Sequence, residues 1–158
     1  MQMVLEEVNQ PKEKFLDEKY LAFLIDGVIY GIPIRFVTEI IEVLTITPVP
    51  NSPFFIKGII NLRGKLIPTM DLRLRLGMQE KEYNEKTCII IVNLNRNQNE
   101  QIGLIIDMVS EVFDIPESEM DYSLGCKFMG NENFLDGIGK VNDKAVMILN
   151  IFSILKIE

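Results

Sequence analysis

Tyr20-Leu-Ala-Phe-Leu-Ile25 and Val28-Ile-Tyr-Gly-Ile-Pro-Ile34 are two β-rich runs separated by the dipeptide Asp26-Gly27. Both residues of that dipeptide tolerate positive φ, which a two-residue type I′ turn demands, and such a turn matches the twist of the strands it joins. The stretch therefore predicts a β-hairpin. On its C-terminal side, residues 36–43 mix β-branched residues with acids and read as a third strand. Pro48, Pro50 and Pro53 then remove three backbone donors in quick succession, so a fixed extended loop is expected there. On the N-terminal side, residues 1–18 are charge-dense, are interrupted by Pro11 and read as a flexible arm.

The strand pattern returns in residues 54–62, and Arg63-Gly64 turns it back into residues 65–68 as a second hairpin. Asp71 is placed to cap a short helix over Leu72-Arg-Leu-Arg-Leu76 with Gly77 as its stop, although the same Leu–Arg alternation also suits a strand. The polar residues 79–86 read as a linker between two lobes. After it, residues 87–92 predict a buried strand, 93–101 an exposed loop, and 102–107 and 109–113 further strands. Ile115-Pro-Glu-Ser-Glu119 has an early proline and acids near its start, as a single helical turn would. Residues 134–141 and 144–151 form a last hairpin around Asn142-Asp143, and residues 152–157 a closing helix. About nine or ten short strands with turn signals between them predict an all-β, barrel-like architecture.

The chain has 158 residues, 47% of them hydrophobic and 25% charged, enough for one domain or two small lobes sharing a core. Its net charge of −7 disfavours nucleic acid, and no Lys/Arg run supplies a segregated basic face. There is no histidine, which removes the commonest general base, the commonest zinc ligand and any phosphohistidine carrier. Cys88 and Cys126 are far apart with no CxxC spacing, and read as reduced thiols of a cytosolic protein. The first residues are acidic, unlike a signal peptide, and no apolar run approaches the ~18 residues of a membrane span, so direct membrane insertion is not expected.

Nothing points to catalysis, a metal or a cofactor. Gly137-Ile-Gly139-Lys140 lacks phosphate-loop spacing. Asp114, Glu117, Glu119 and Asp121 lack the ligand order and central glycine of a calcium loop. Cys126 has only Lys127 as a basic neighbour.

What stands out instead is charge set into apolar strands: Glu39 within Val37-Thr-Glu-Ile40, and Arg63 at a tight turn within Gly58-Ile-Ile-Asn-Leu-Arg-Gly64. Such charges need partners. The order Tyr30-Gly-Ile-Pro-Ile34, then Val37-x-Glu39-Ile40, then Phe55-Ile-Lys-Gly-Ile-Ile-Asn-Leu-Arg-Gly-Lys-Leu-Ile-Pro68 with Asp71-Leu-Arg73, resembles the CheW family of bacterial chemotaxis coupling proteins. The likeness continues through Ile102-Gly-Leu-Ile-Ile-Asp107-x-Val109 and Val146-Met-Ile-Leu-Asn-Ile151.

That resemblance implies two SH3-like five-stranded β-barrel lobes, about 19–78 and 87–151, sharing a hydrophobic core, with short helices after the first lobe and at the C-terminus. It implies a non-catalytic adaptor without cofactors, cytoplasmic and recruited to membrane-associated receptor arrays. There it would couple the cytoplasmic tips of methyl-accepting chemoreceptors to the regulatory domain of the histidine kinase CheA. Carried over by motif position, Val37, Glu39, Gly58 and Arg63 are candidates for the receptor and kinase surfaces, with Ile106 and Val109 lining a groove between the lobes. Structural roles stand beside these. An Arg63–Glu39 pair could only fix the hairpin against the Val37 strand, while Val37, Ile106 and Val109 suit a core and Gly58 a backbone turn. The other functions weighed are the CheW-like module of a CheV-type adaptor and an oligonucleotide-binding small barrel.

Overall fold

A computed structural model describes residues 18–94, 100–123 and 134–156. Among the described residues the fold is all-β, with two sheets and two short helices. Strand β1 (Lys19–Ile25) turns at Asp26 and Gly27, whose φ values of 57° and 80° make the expected type I′ turn, into β2 (Val28–Pro33). A 3-10 turn at Ile34–Phe36 leads to β3 (Val37–Glu42). Strands β4 (Ile56–Leu62) and β5 (Lys65–Asp71) meet at Arg63 and Gly64, again both at positive φ. Helix α1 (Leu72–Arg75) follows because the Asp71 carboxylate accepts from the amides of Arg73 and Leu74. Capping settles the Leu–Arg alternation in favour of helix. Then come β6 (Cys88–Asn93), β7 (Gln101–Ile106) and β8 (Met108–Asp114). A 3-10 turn at Glu117–Glu119 precedes β9 (Met120–Asp121), a two-residue strand the sequence did not announce. Strands β10 (Leu135–Val141) and β11 (Lys144–Leu149) form the last hairpin, and α2 (Ile151–Leu155) closes the fold under an Asn150 cap.

The N-terminal arm up to residue 17, the loop tip 95–99, Cys126 with Lys127, and the end of the closing helix at 157 lie outside the described residues. Glu18, expected in the arm, is 8% exposed. Its carboxylate accepts from Arg35 and its carbonyl from the Ile115 amide at 3.2 Å, which anchors the start of β1.

The sheets divide the chain differently from the expected lobes. One runs β8-β1-β2-β11-β10-β9 and the other β3-β6-β7-β5-β4. Both halves of the sequence follow one order, a hairpin, a long strand, a short closing segment, a second hairpin and a helix. Each half, however, gives its first hairpin to the other half's sheet. The β1–β2 hairpin pairs with β8 and, in parallel, with β11 (Met147↔Tyr30), while β6–β7 pairs with β3 and, in parallel, with β5 (Thr69↔Gly103). Lobe boundaries at 78 and 87 therefore describe the sequence halves and not the sheets. Hairpin signals report antiparallel neighbours joined by a turn, whereas parallel partners leave no local trace.

Each sheet closes by the same device. The chain leaving edge strand β3 reaches the opposite edge at β4, where Thr47 and Ile59 exchange hydrogen bonds of 2.9 and 2.8 Å. The chain leaving edge strand β8 reaches β10 through β9, pairing Asp121 with Ile138. Closure removes exposed strand edges. The first crossing depends on Gly58, held at φ 148°, because a Cβ there would stand 2.1 Å from the Thr47 carbonyl oxygen.

Three apolar clusters match this plan. Ile60, Ile67, Ile89, Ile91 and Ile105 fill the β3–β7 lobe, and Tyr20, Ile115, Val146 and Ile148 the other. A third and larger cluster joins them, with Phe23 and Ile32 from one sheet against Ile90 and Leu104 from the other, beneath Leu72, Leu74, Ile151 and Ile154 of the helices. Strand β6 shows why its run reads Ile-Ile-Ile-Val. Ile89 and Ile91 face the private core while Ile90 and Val92 face the shared one, so both faces are covered. Each such side chain contributes about 1.5–3 kcal/mol of transfer free energy.

Two arginines of α1 fasten the lobes. Arg73, 8% exposed, donates to Asp26 in the β1–β2 turn at 3.0 Å and to Asp107, between β7 and β8, at 2.5 Å. Arg75 lies over the rings of Phe55 and Phe134, 4.4 and 4.8 Å from their centroids, and donates to carbonyls at the end of α2.

Candidate functional site

A polar concavity of the β3–β7 lobe gathers around Glu39 and Arg63. Strand β3 pairs with β6 through a register shift between Val37 and Glu39, and along it Val37, Glu39 and Ile41 are half-buried while Thr38, Ile40 and Glu42 are exposed. Glu39 thus occupies a position where an apolar side chain would otherwise pack. Its carboxylate accepts from Arg63, which stands at φ 51° in the β4–β5 turn. That conformation suits Asn or Gly and costs an arginine about 1 kcal/mol. The Arg63 side chain is 69% exposed, so the pair is screened and adds little stability.

Around the pair opens a cleft of about 590 Å³, lined by Arg35, Phe36, Thr38, Glu39, Leu62, Arg63, Lys65, Asn93 and Gln101. Its lining carries Arg35, Arg63 and Lys65 beside Glu39, with Arg63 paired to Glu39 and Arg35 to Glu18 just outside it. Arg35 is committed on two sides. Its guanidinium pairs with Glu18 and lies 4.7 Å over the ring of Phe36, and burial pulls its pKa below the usual value. Cations beside an aromatic ring and a leucine suit a partner that offers a carboxylate next to an apolar side chain.

The other positions named from the sequence are placed differently. Val37 is half-buried and packs on the shared core next to the cleft. Gly58 lies at the closure of the β3–β7 lobe and serves the backbone. Ile106 is 1% exposed, because β7 is flanked by β6 and β5 and covered on both faces, so it belongs to the shared core and lines no surface groove. Val109, opposite Phe23 in β8, is half-buried against that core. The structure thus brings Val37, Glu39 and Arg63 to one place and leaves Gly58, Ile106 and Val109 outside it. Sequence reading missed Arg35, Phe36 and Lys65. Phe36 was assigned to a strand, and only Pro33, which starts the 3-10 turn, hinted that Arg35 and Phe36 leave the ladder.

The acidic residues of the β8–β10 crossing are engaged locally. Asp114 pairs with Lys19 at 2.8 Å and Glu117 accepts from Tyr122 at 3.1 Å. Asp121 accepts from the Ser123 hydroxyl and amide, which hold its carboxyl below the usual value. Among the described residues no group of three His, Cys, Asp or Glu side chains could hold a metal, and no helix is long and apolar enough to cross a membrane.

Residues 19–158 match the CheW-like domain, from the first residue of β1 onward. The chain belongs to the CheW family. Chemotaxis protein CheW of Helicobacter pylori is 33% identical over 138 residues, 87% of this chain and 81% of that one. Chemotaxis protein CheW of Klebsiella aerogenes is 29% identical over 141 residues, 89% of this chain and 83% of that one. The crystal structure of the scaffolding protein TtCheW from Thermoanaerobacter tengcongensis has a TM-score of 0.80 and 33% identity, covering 90% of this chain and 94% of that one. In this CheW-family chain the Lys57-Gly58 to Arg63-Gly64 block builds both the barrel closure and the charged turn that walls the cleft.

Proposed function

We propose that this protein is a non-catalytic chemotaxis adaptor that couples the cytoplasmic tips of transmembrane chemoreceptors to the histidine kinase CheA. It works in the cytoplasm, at receptor arrays to which it is recruited. Val37, Glu39 and Arg63 belong to its partner-binding surface, and a helical hairpin of the receptor is one of the partners it meets.

The observation that carries this reading is the placing of Arg63. An arginine is held in a left-handed turn conformation that disfavours it, with its charge mostly in water, in a pair worth little to the fold. Selection for stability alone favours Asn or Gly there. A role in contact with another protein explains the arginine, and the named relatives are chemotaxis and scaffolding proteins.

The test is reconstitution of full-length CheA and receptor-bearing membranes from the same organism with and without this chain, reading kinase autophosphorylation. The adaptor reading expects receptor control of the kinase only when all three are present. Receptor control that is independent of this chain would overturn it.

A further inference from the structure

Residues at one constant spacing along the chain do the same work in the two halves. Asp71 and Asn150 each cap a short helix, and their amides donate to the carbonyls of Phe55 and Phe134 at 2.8 and 2.7 Å. The turns Arg63-Gly64 and Asn142-Asp143 keep that spacing, with all four φ values positive. Gly58 and Gly137 keep it too, each at a register shift in its hairpin and each beneath a crossing chain. A Cβ would stand 2.1 Å from the Thr47 carbonyl oxygen at the first and 3.0 Å from that of Asp121 at the second. The parallel contacts match as well, since Thr69 of β5 pairs with Gly103 and Ile148 of β11 pairs with Gly31.

The fold is thus one unit used twice, and neither copy is complete. The β1–β2 hairpin sits between β8 and β11, and β6–β7 sits between β3 and β5. Each half therefore supplies the inner strands of a sheet whose flanks belong to the other, and the shared cluster sets Phe23 and Ile32 of the first half against Ile90 and Leu104 of the second. The halves are joined through the polar residues 79–86, which are tied to the first half by Tyr83 donating to Asp71 at 2.8 Å and by Glu80 accepting from Lys57. None of the pairings between the halves depends on which chain that linker belongs to.

We propose that the surface each half presents to the other is also a self-association surface, whose partner is a second copy of this chain. Two chains exchange halves, residues 18–78 of each closing on residues 87–156 of the other, in a two-fold dimer that keeps the contacts between halves found in the monomer. Exchange of identical elements is a low-cost route to a dimer, because no contact is given up. It competes with self-closure once the chain concentration nears the effective concentration set by the linker, about millimolar for a short one. The dimer forms as chains fold, and it carries two Glu39–Arg63 clefts. The inference stands apart from the adaptor reading.

The experiment uses the full chain with Cys88→Ser and Cys126→Ser, which removes both native thiols, and with Lys19→Cys and Asp114→Cys. These two exposed residues are partners across β1 and β8, one in each half, and facing residues of an antiparallel pair lie within the span of a disulfide. Chains unfolded in urea are refolded at about 1 mM and at about 10 μM, on either side of self-closure, then oxidised. They are read by size exclusion and on a non-reducing denaturing gel. The expected result is a dimer at the higher concentration whose disulfides join two chains, so that its mass on the gel is doubled, and a monomer closed within one chain at the lower. A dimer that runs on the gel as single chains is a side-by-side pair and would overturn the inference, as would a monomer at both concentrations. Lys19→Cys alone sets the level of chance cross-linking, and an equal yield from it would also overturn the inference. Leu24→Cys with Met108→Cys, a second pair on the same ladder, gives the same reading if the first variant does not refold.

Discussion

The guanidinium of Arg73 donates to the carboxylate of Asp107 at 2.5 Å, at the point where the chain passes from β7 in one sheet to β8 in the other. The same arginine reaches Asp26 in the β1–β2 turn, and Asp107 also accepts from the Asp26 amide at 2.9 Å. One buried cation thereby ties α1 to the β1–β2 turn of the opposite sheet and to the β7–β8 passage between the sheets. Burial alone would lower its pKa, but the hydrogen bonds and charges of the two aspartates outweigh that and raise it.

Replacing Arg73 with Met keeps the apolar stem and strands the carboxylate of Asp107. Both aspartates retain some contact with water, so the expected loss is about 2 kcal/mol, below the cost of breaking a fully buried pair. Urea unfolding should show a lower midpoint with the slope unchanged. A midpoint equal to wild type would mean that the lobes are held by their shared core alone.

Gly58 separates backbone need from partner contact. With a Cβ 2.1 Å from the Thr47 oxygen and φ at 148°, Gly58→Ala should open the β3–β4 closure and cost about 3 kcal/mol. At Gly27 no atom lies within 4 Å of an added Cβ, so Gly27→Ala should cost only about 1 kcal/mol for its left-handed φ. Amide exchange at Thr47 and Ile59 reads the difference directly, since their mutual hydrogen bonds are the closure. Equal losses at the two glycines would refute it.

All four tyrosines of the chain have raised pKa values. Desolvation is the first cause in each and takes Tyr20 to about 12, while Tyr122, half of it in water, is raised also by donating to Glu117. Tyr83 is raised further by donating to Asp71 at 2.8 Å. Between about 10, the ordinary value, and the native values, the unfolded chain loses protons first, so native stability falls as pH rises through that window and is unaffected below it. Tyrosinate absorbance followed against pH should rise later in the native protein than in urea. Coincident curves would contradict the burial of Tyr20 and Tyr30.

The strands and turns were legible because their signals are local. Asp26-Gly27, Arg63-Gly64 and Asn142-Asp143 are each a two-residue turn with both φ values positive, and Asp71 and Asn150 sit where helices need acceptors. The exchange of hairpins was not legible, since the pairings of Tyr30 with Met147 and Thr69 with Gly103 join residues far apart in the chain. The Glu39–Arg63 pair followed from a charge in an apolar strand and a charge at a turn. Arg35 and Phe36 reached the site through a 3-10 turn, which no spacing records. Ile106 went the other way, as a motif position that proved to be core because both faces of β7 are covered.

On the proposed reading the Glu39–Arg63 cleft serves a partner and not the fold. Arg63→Asn tests it most directly, because Asn suits the left-handed turn position while removing the charge. The comparison is the melting temperature and the calorimetric affinity for full-length CheA of the same organism, wild type against variant. Wild type is expected to bind saturably, one to one. For the variant an equal or higher melting temperature is expected, with binding weakened about tenfold or more. A variant that melts lower and binds as well as wild type would contradict the reading.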